Sequence, residues 1–224
     1  MHILLGYNAL MIPVTYMSEE ELDQAALQMA RAFNEHQSRG NAGIFPALGL
    51  SIERVQKYMK AMLRYGIVTG ELHATSERGE GYAVWSDSRT EKNPFFAAMR
   101  MTMEVIAALG IDGFAQYTAM FSTASGTQER QLKHRNSPYL SVSLLAVVPE
   151  YQHQGYMRVM MEDIFREADE KGIPVVLQTD TEDKKDRYCR IGMICTRKRP
   201  MGFGVTYYDL IRYPGGKKPS ESAL

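Results

Sequence analysis

Cysteine, tryptophan and net charge are all scarce in this sequence, and each scarcity narrows what the chain can be. The 224 residues include two cysteines, Cys189 and Cys195, and one tryptophan, Trp85. Two thiols without a CxxC pair predict reduced structural cysteines and no metal site, with a disulfide between them as the alternative. Lys plus Arg and Asp plus Glu are balanced at 26 each. No basic excess therefore points to nucleic acid or to an anionic membrane.

Long apolar runs are also missing. The sequence has no unbroken run of the roughly 18 apolar residues that a transmembrane helix needs. The N-terminal segment MHILLGYNALMIPV has no basic region beyond His2 and no small-residue cleavage site, which predicts that it is not a signal peptide. We therefore expect a cytoplasmic protein with one domain over residues 1–213 and a flexible tail at 214–224.

Apolar periodicity indicates helices in the first half of the chain and strands around them. Ser18 and Glu21 have the spacing of a capping box, so the first helix should begin there and run to about His36. The other expected elements are helices at 51–66, 93–110, 114–121 and 181–192, strands at 11–17, 67–75, 81–87, 174–180, 193–198 and 203–213, and loops at 38–49 and 125–138.

The stretch 139–169 is the most informative part of the sequence. The run SVSLLAVV predicts a strand covered on both faces of a sheet, and a helix is expected from Tyr156 to Lys171, ended by Gly172. A turn that opens a helix directs free N–H groups and the positive end of the helix dipole at one point. A phosphate-bearing ligand suits such a site.

Two other readings of this turn stay open on the residues alone. Gly155 could serve only to let the chain pass from strand to helix. Alternatively, a nucleotide-binding α/β domain could use Gly155 for phosphate, although neither GxGxxG nor GK[ST] occurs here.

The order LAVVPEYQHQGYM resembles the acetyl-CoA-binding motif of the GNAT acetyltransferases. That motif reads Gln/Arg-x-x-Gly-x-Gly/Ala, and the matching residues are Gln152, Gly155 and Met157. Met157 departs from the small residue of the family, and the family's asparagine before the tyrosine helix stands here as Lys184 or is missing. Four further pieces fall in the family's order over roughly residues 67–198: Pro138-Tyr139-Leu140 before the central strand, GYAVW, PVVLQT and Tyr188-x-x-x-Gly192-Met193.

The resemblance implies the GNAT fold and an N-acetyltransferase. The expected fold is α/β (α+β), with a mixed, mostly antiparallel central sheet, a splayed parallel strand pair and helices on both faces. The expected reaction transfers an acetyl group from acetyl-CoA to a primary amine of a small molecule or a peptide, by direct attack in a ternary complex and without a metal. Helices at 18–66 would shape the acceptor side, and 139–198 would hold the cofactor.

The resemblance also implies roles for individual residues. Open backbone groups of the central strand would hold the pantetheine arm, N–H groups of the turn would cradle the pyrophosphate, and Tyr188 would protonate the departing thiolate. The implied cofactor-binding residues are Leu145, Ala146, Val147, Val148, Gln152, Gln154, Gly155, Tyr156, Met157 and Arg158. A non-catalytic acyl-CoA-binding or sensor domain is the alternative, and a homodimer is an open option.

No residue stands out as the general base. Glu71 and Glu80 lie on the paired strands, His134 precedes the central strand and Ser143 lies within it, but each also has an ordinary structural explanation. A water relay would need none of them. Trp85 could line an acceptor pocket or simply pack in the core.

Overall fold

One seven-stranded sheet organises the computed structural model, which describes residues 11–34, 43–90, 94–122 and 127–216. The strand order is β1-β2-β3-β4-β5-β7-β6. Every neighbouring pair is antiparallel except β4 and β5, which are parallel. The strands are β1 (Ile12–Pro13), β2 (Leu72–Ala74), β3 (Gly81–Asp87), β4 (Leu140–Val147), β5 (Val175–Thr179), β6 (Ile194–Gly202) and β7 (Val205–Arg212).

Helices cover both faces of this sheet. Their bounds are α1 (Glu19–Asn34), α2 (Ile44–Ala47), α3 (Ile52–Thr69), α4 (Phe95–Ser122), α5 (Gln128–His134), α6 (Tyr156–Lys171) and α7 (Glu182–Arg190). α1, α3 and α4 bury one large cluster against β2 to β4. A second buried cluster lies on the opposite face of the sheet and includes Met160, Met161 and Ile164 of α6. Partly buried residues of α7 pack against it. None of the helices in the described ranges is long and apolar enough to cross a membrane.

Local signals in the sequence predicted several boundaries correctly. The capping box is present: the Ser18 N–H donates to Glu21 Oε2 at 2.7 Å, and the Glu21 N–H donates to Ser18 Oγ at 3.2 Å. α6 begins at Tyr156 and ends before Gly172, whose φ of 65° is that of a left-handed C-cap. Pro13 has no N–H to donate to a neighbouring strand. It is tolerated in β1 because β1 lies at the edge of the sheet.

The prediction that Gly66 ends the second helix is wrong. α3 continues to Thr69, and Gly70 is its cap with φ 76°. A Cβ placed on Gly66 would approach Val84 to 3.1 Å and Leu72 to 3.2 Å. The glycine therefore allows the helix to pack closely on β2 and β3, and the strand expected from residue 67 begins at Leu72 instead.

Two segments expected to be loops contain helices. α2 lies within 38–49, and α5 lies within the polar stretch 125–138. α5 has no buried residue and is capped by Thr127, whose hydroxyl accepts from the Arg130 N–H at 3.1 Å, so apolar periodicity could not reveal it. Gly110 has a non-helical backbone, with φ 71° and ψ 168°, so α4 consists of two helices that meet at a kink there. The prediction that one helix ends at Gly110 and another follows it is confirmed. The remaining predictions at 1–10, 35–42, 91–93, 123–126 and 217–224 lie outside the described residues.

Candidate functional site

The parallel strands β4 and β5 separate partway along their length. Their pairing runs from Leu140 opposite Val175 to Val142 opposite Leu177 and stops there, although β4 continues to Val147. Because β3 stays paired with β4 over the same residues, only the β5-facing edge of β4 is open. The splayed parallel pair expected from the resemblance is confirmed.

Ser143 forms a β-bulge at the point where the strands part. On β3, Val84 pairs with Leu144 and Trp85 pairs with Val142, so Ser143 is an extra residue with no partner in the ladder. Its hydroxyl donates to the Val84 carbonyl at 3.3 Å and is satisfied locally. A bulge of this kind bends the strand and increases its twist, which helps β4 to turn away from β5.

Beyond the bulge, the backbone of β4 presents polar groups to the opening at alternate residues. The Val148 N–H donates to the Glu80 carbonyl at 2.9 Å, so Val148 faces β3. Antiparallel pairing alternates; Ala146 therefore also faces β3, whereas Leu145 and Val147 direct their N–H and C=O groups into the opening. The Gln152 side chain already donates to the Val147 carbonyl at 3.2 Å.

The turn between β4 and α6 brings free amide groups to the same opening. His153 and Gly155 have left-handed backbones, with φ of 62° and 93°. The Arg158 N–H donates to the Gly155 carbonyl at 2.9 Å, which is the first hydrogen bond of the helix. Within the described chain, the N–H groups of residues 153–157 have no protein acceptor. With the helix dipole behind them, these donors form an anion site.

The side chains of this turn divide into those that brace it and those that reach the opening. Gln154 donates from its side chain to the Glu150 carbonyl at 2.9 Å, as Gln152 does to Val147. Tyr156 packs edge-to-face on Tyr151, with ring centroids 5.8 Å apart. Met157 and Arg158 line the opening together with Tyr156.

Tyr188 approaches the opening from α7 and packs beside the cluster that α6 forms with the sheet. Burial, followed by the nearby Asp180 carboxylate, raises the pKa of Tyr188 above its usual value. The phenol is therefore protonated throughout the neutral range and can donate a proton.

A cleft of about 1120 Å³ runs from the turn through the splayed strands to the helices of the opposite face. On one side its lining is the β4 edge, the turn, the end of β5 and α7. On the other side it is lined by aromatic and methionine side chains of α1 to α4: Phe33, Phe45, Tyr58, Met59, Met62, Met101, Phe114 and Tyr117.

A buried ion pair lies between these two sides. Asp180, directly after β5, accepts from Lys184 Nζ at 2.7 Å and from the Ile44 N–H at 2.9 Å. Burial opposes ionisation of Asp180, but the charge and hydrogen bond of Lys184 outweigh it, so the pKa of Asp180 lies below its ordinary value. Lys184 also lies 4.9 Å from the centre of the Phe33 ring.

Three of the four side chains considered as general bases lie outside the described lining of the cleft. Glu80 accepts from the hydroxyls of Thr75 at 2.8 Å and Ser76 at 2.6 Å, in the turn between β2 and β3. Neither it, Glu71 nor His134 lines the cleft, whereas Ser143 does. The carboxylates in the described lining are Glu129 and Asp180.

Trp85 packs in the core, and the two cysteines form no disulfide. Trp85 stacks on His73 with ring centres 3.7 Å apart and donates from Nε1 to Glu167 at 2.9 Å, so it belongs to the core. Cys189 and Cys195 are free thiols, as predicted. In the described part of the chain, no group of three or more His, Cys, Asp or Glu side chains could hold a metal ion.

Solved structures with this architecture identify the fold. An Aedes aegypti protein assigned as arylalkylamine N-acetyltransferase 7 matches 88% of this chain and 85% of its own at a TM-score of 0.56, with 13% identity. A Corynebacterium glutamicum protein named histone acetyltransferase HPA2 and related acetyltransferase matches 94% and 98%, at 0.54 and 12% identity. The chain has the GNAT fold. No protein-family model and no curated protein matches its sequence.

A GNAT fold alone leaves the reaction open. The C-terminal condensation domain of Ebony, solved in complex with β-alanyl-dopamine, also matches 91% of this chain and 97% of its own, at a TM-score of 0.55 and 10% identity. The chemistry must therefore be argued from the residues of this site.

Sequence reasoning missed the aromatic side of the cleft and the Asp180–Lys184 pair. Helical periodicity places positions 33 and 58 only on the buried faces of predicted helices, position 117 lies in the helix expected at 114–121, and position 45 lies in a segment expected to be a loop. Asp180 and Lys184 are four residues apart at the start of α7, a spacing that could have indicated an ion pair.

Proposed function

We propose that this protein transfers an acetyl group from acetyl-CoA to a primary amine of a small molecule, by direct attack in a ternary complex. The observation that carries the proposal is the open edge of β4, which begins where its pairing with β5 stops at Val142 and Leu177. This edge leads to the free N–H groups of the turn before α6. One domain over residues 1–213, acting in the cytoplasm, would contain both substrate sites.

The residues present fit the two ends of a CoA molecule. The Leu145 N–H and C=O groups and the Val147 N–H would pair with the amides of an extended pantetheine arm, as a neighbouring strand would. The N–H groups of residues 153–157 would hold the pyrophosphate. A Cβ on Gly155 would meet no protein atom within 4 Å, so its outer side is open to such a ligand.

Three arginine side chains in the lining of the cleft complement the negative charge of the CoA phosphates. Arg158, Arg187 and Arg190 line it, and in the described structure none of them has a carboxylate partner. Each would gain a charge-assisted contact from a phosphate.

Acetyl-CoA, when bound, supplies an acetyl thioester at the point where β4 and β5 part. An N–H group of the β4 edge would stabilise the oxygen that becomes negative during attack. The walls of the cleft would hold the amine in line with the thioester carbonyl. Tyr188 would give its phenolic proton to the departing sulfur, because its raised pKa keeps that proton available. Water in the cleft would accept the proton that the attacking amine loses and return a proton to Tyr188.

A non-catalytic acyl-CoA sensor is the second candidate, favoured by Met157. This large side chain lines the cleft at the position where GNAT motifs have Gly or Ala. A sensor would keep the cofactor site and lack turnover.

Calorimetry with CoA and a thiol-release assay over a panel of amines test these candidates. Binding of CoA together with release of thiol that depends on amine supports the acetyltransferase. Binding without release on any amine would identify a sensor, and failure to bind CoA would overturn both. Competition by ATP stronger than that by CoA would support a nucleotide-binding domain instead.

A further inference from the structure

Gln178 is the first residue of β5 beyond the point at which β5 stops pairing with β4. The last paired residue is Leu177, which lies opposite Val142. Every residue of β5 is buried except Gln178, which is partly exposed and lines the cleft. Gln178 therefore brings a polar group to the place where the two strands separate.

The side chain of Gln178 lies on the face of the sheet that α1 to α4 cover. Gln178 is opposite Asp209 on β7, and residues opposite one another in an antiparallel pair project from the same face. Tyr207, two residues before Asp209, projects from this face as well and packs against the cluster that α1, α3 and α4 form with the sheet. Gln178 therefore approaches the cleft from the other face than Tyr188, which packs beside the α6 cluster.

A buried ion pair holds the amide group of Gln178 in one orientation. Asp209 and Arg199 have exposed fractions of 0% and 6%. Arg199 donates to Asp209 from Nε at 2.9 Å and from Nη2 at 2.8 Å, which is the bidentate geometry of a guanidinium and a carboxylate. Nη2 also donates to Gln178 Oε1 at 3.2 Å. The amide of Gln178 is therefore anchored at its oxygen.

The chemistry of arginine decides which end of the amide faces the cleft. A guanidinium can only donate hydrogen bonds, so the group that Gln178 turns to Arg199 must be its carbonyl oxygen. The Nε2 group is then the other end. Within the described residues it has no acceptor, and it is not one of the buried polar atoms that lack a partner. Gln178 therefore presents its N–H donors to the cleft.

A donor at this position suits the acetyl oxygen better than the attacking amine. The amine needs its lone pair for the new C–N bond, and an N–H group beside it would compete for that lone pair. The carbonyl oxygen of the acetyl group becomes negative as the C–N bond forms, so it accepts hydrogen bonds more strongly during attack than before it. The amide of Gln178 can therefore favour the reaction by donating to this oxygen.

We propose that Gln178 is a catalytic residue that donates from Nε2 to the acetyl oxygen, with Arg199 and Asp209 fixing its orientation. This inference rests on the proposed function and adds a residue to it. As the amine nitrogen bonds to the acetyl carbon, the π electrons of the carbonyl move to the oxygen, where Nε2 and an N–H group of the β4 edge stabilise them. When the carbonyl re-forms, the C–S bond breaks and its electron pair leaves on sulfur, which takes the proton of Tyr188. Water takes the proton that the amine loses and returns one to Tyr188.

Two substitutions separate the donor from its structural contact. Gln178→Glu keeps an oxygen for Arg199 but replaces the N–H donors with a second oxygen, and Gln178→Met removes both groups at similar length. Each should reduce kcat by about 100-fold or more, the effect of losing one such donor, for every amine that is turned over. The Kd for CoA should stay at its wild-type value in calorimetry. Urea unfolding of Gln178→Glu should show wild-type stability, because the contact with Arg199 is kept.

A CoA analogue provides a measurement that does not depend on turnover. In S-carboxymethyl-CoA, a thioether carries a carboxylate in place of the acetyl group, so a negatively charged oxygen takes the position of the reacting oxygen. Gln178→Met should raise the Kd for this analogue by about tenfold or more, because a hydrogen bond to a charged group is lost.

Gln128→Glu is the matched control for both measurements. Gln128 lies on α5, its Oε1 accepts from the Thr196 hydroxyl at 3.2 Å, and it lies outside the described lining of the cleft. The same chemical change at this position should leave kcat and both dissociation constants at wild-type values.

Each result tests either the residue or the reaction. Unchanged kcat in both Gln178 variants, an unchanged Kd for the analogue in Gln178→Met, or an equal loss in Gln128→Glu would overturn the inference and leave the acetyltransferase standing. A rise in KM confined to amines that carry an oxygen atom, with kcat unchanged, would assign Gln178 to the acceptor and also overturn it. A wild-type protein without turnover on any amine would overturn the proposed function. Weaker binding of S-carboxymethyl-CoA by Gln178→Met would then still support the donor at the acetyl position.

Discussion

Val142 and Leu177 are the last residues at which β4 and β5 are paired, and every feature of the site lies beyond them. The Ser143 bulge, the open groups of Leu145 and the turn to α6 follow along β4 in that order. On the other side of the opening lie Thr179, the last residue of β5, and Asp180, which directly follows it. The cleft therefore opens where the hydrogen bonding between β4 and β5 stops.

Replacement of Gly155 by Ala should weaken CoA binding. Gly155 has φ 93°, and an L-residue in a left-handed backbone costs roughly 1–2 kcal/mol. The added methyl group would also lie where the ligand phosphates approach. Gly172→Ala is the matched control, because Gly172 has φ 65° at the other end of the same helix. Both variants should lose stability in urea, but only Gly155→Ala should raise the Kd for CoA in calorimetry, and equal effects would contradict the anion site.

Tyr188→Phe should reduce kcat by about 100-fold and leave the Kd for CoA near its wild-type value, because it removes only the proton donor. Because the pKa of Tyr188 is raised, deprotonation of this residue should not reduce kcat at any pH below about 10, the ordinary pKa of tyrosine. Tyr213→Phe serves as the control, since Tyr213 lies outside the described lining of the cleft. A pH–rate profile and kcat unchanged by Tyr188→Phe would remove the residue from the mechanism.

Asp180→Asn should destabilise the protein at neutral pH by about 2 kcal/mol, the scale of a lost hydrogen bond to a charged group. The folded-state pKa of Asp180 lies below its unfolded value. Its stabilisation is therefore complete above about pH 4 and is lost as pH falls through the folded pKa. Urea unfolding at pH 7 and at pH 3 should show a smaller difference between wild type and variant at pH 3.

A surface pair provides the comparison for Asp180. Glu182, with a side chain 54% exposed, pairs with Lys185 at 3.2 Å, and Glu182→Gln should change stability by less than about 1 kcal/mol. A larger loss for Glu182→Gln than for Asp180→Asn would show that burial does not set the strength of these pairs.

Glu80→Gln should lower stability and leave turnover unchanged. Its carboxylate accepts from Thr75 and Ser76, and loss of such bonds costs about 1 kcal/mol. Because it lies outside the described lining of the cleft, the pH–rate profile of the variant should match that of the wild type. Glu71→Gln should likewise leave turnover unchanged. A fall in kcat together with a changed pH–rate profile in either variant would identify its carboxylate as the general base.

Local signals explain which parts of the fold the sequence could predict. Gly172 and the Ser18–Glu21 box act within a few residues, so the bounds of α6 and the start of α1 follow from nearby letters. Gly66 shows the limit of such reasoning. The letter that usually ends a helix serves here for close packing on Val84 and Leu72, and only the tertiary structure distinguishes the two uses.

The cofactor side of the site was more accessible to prediction than the acceptor side. Residues 142–158 form one continuous strand, turn and helix, and a motif can be recognised in them. The rings of Phe33, Phe45, Tyr58 and Tyr117 come from α1, α2, α3 and α4, and their neighbours are set by helix packing. In the sequence, Phe33 and Tyr58 look like other periodic apolar residues, and Phe45 lies in a segment expected to be a loop.

The β-bulge at Ser143 leaves β4 with an unpaired edge in the interior of a sheet. Exposed strand edges usually invite other chains and promote aggregation. Here β5 continues on the far side of the gap, so the unpaired edge lies inside the sheet and not at its rim. Under the proposed function, this interior edge is the part of the site that distinguishes CoA from ATP: both carry phosphates for the turn before α6, but only CoA carries an arm whose amide groups could pair with β4.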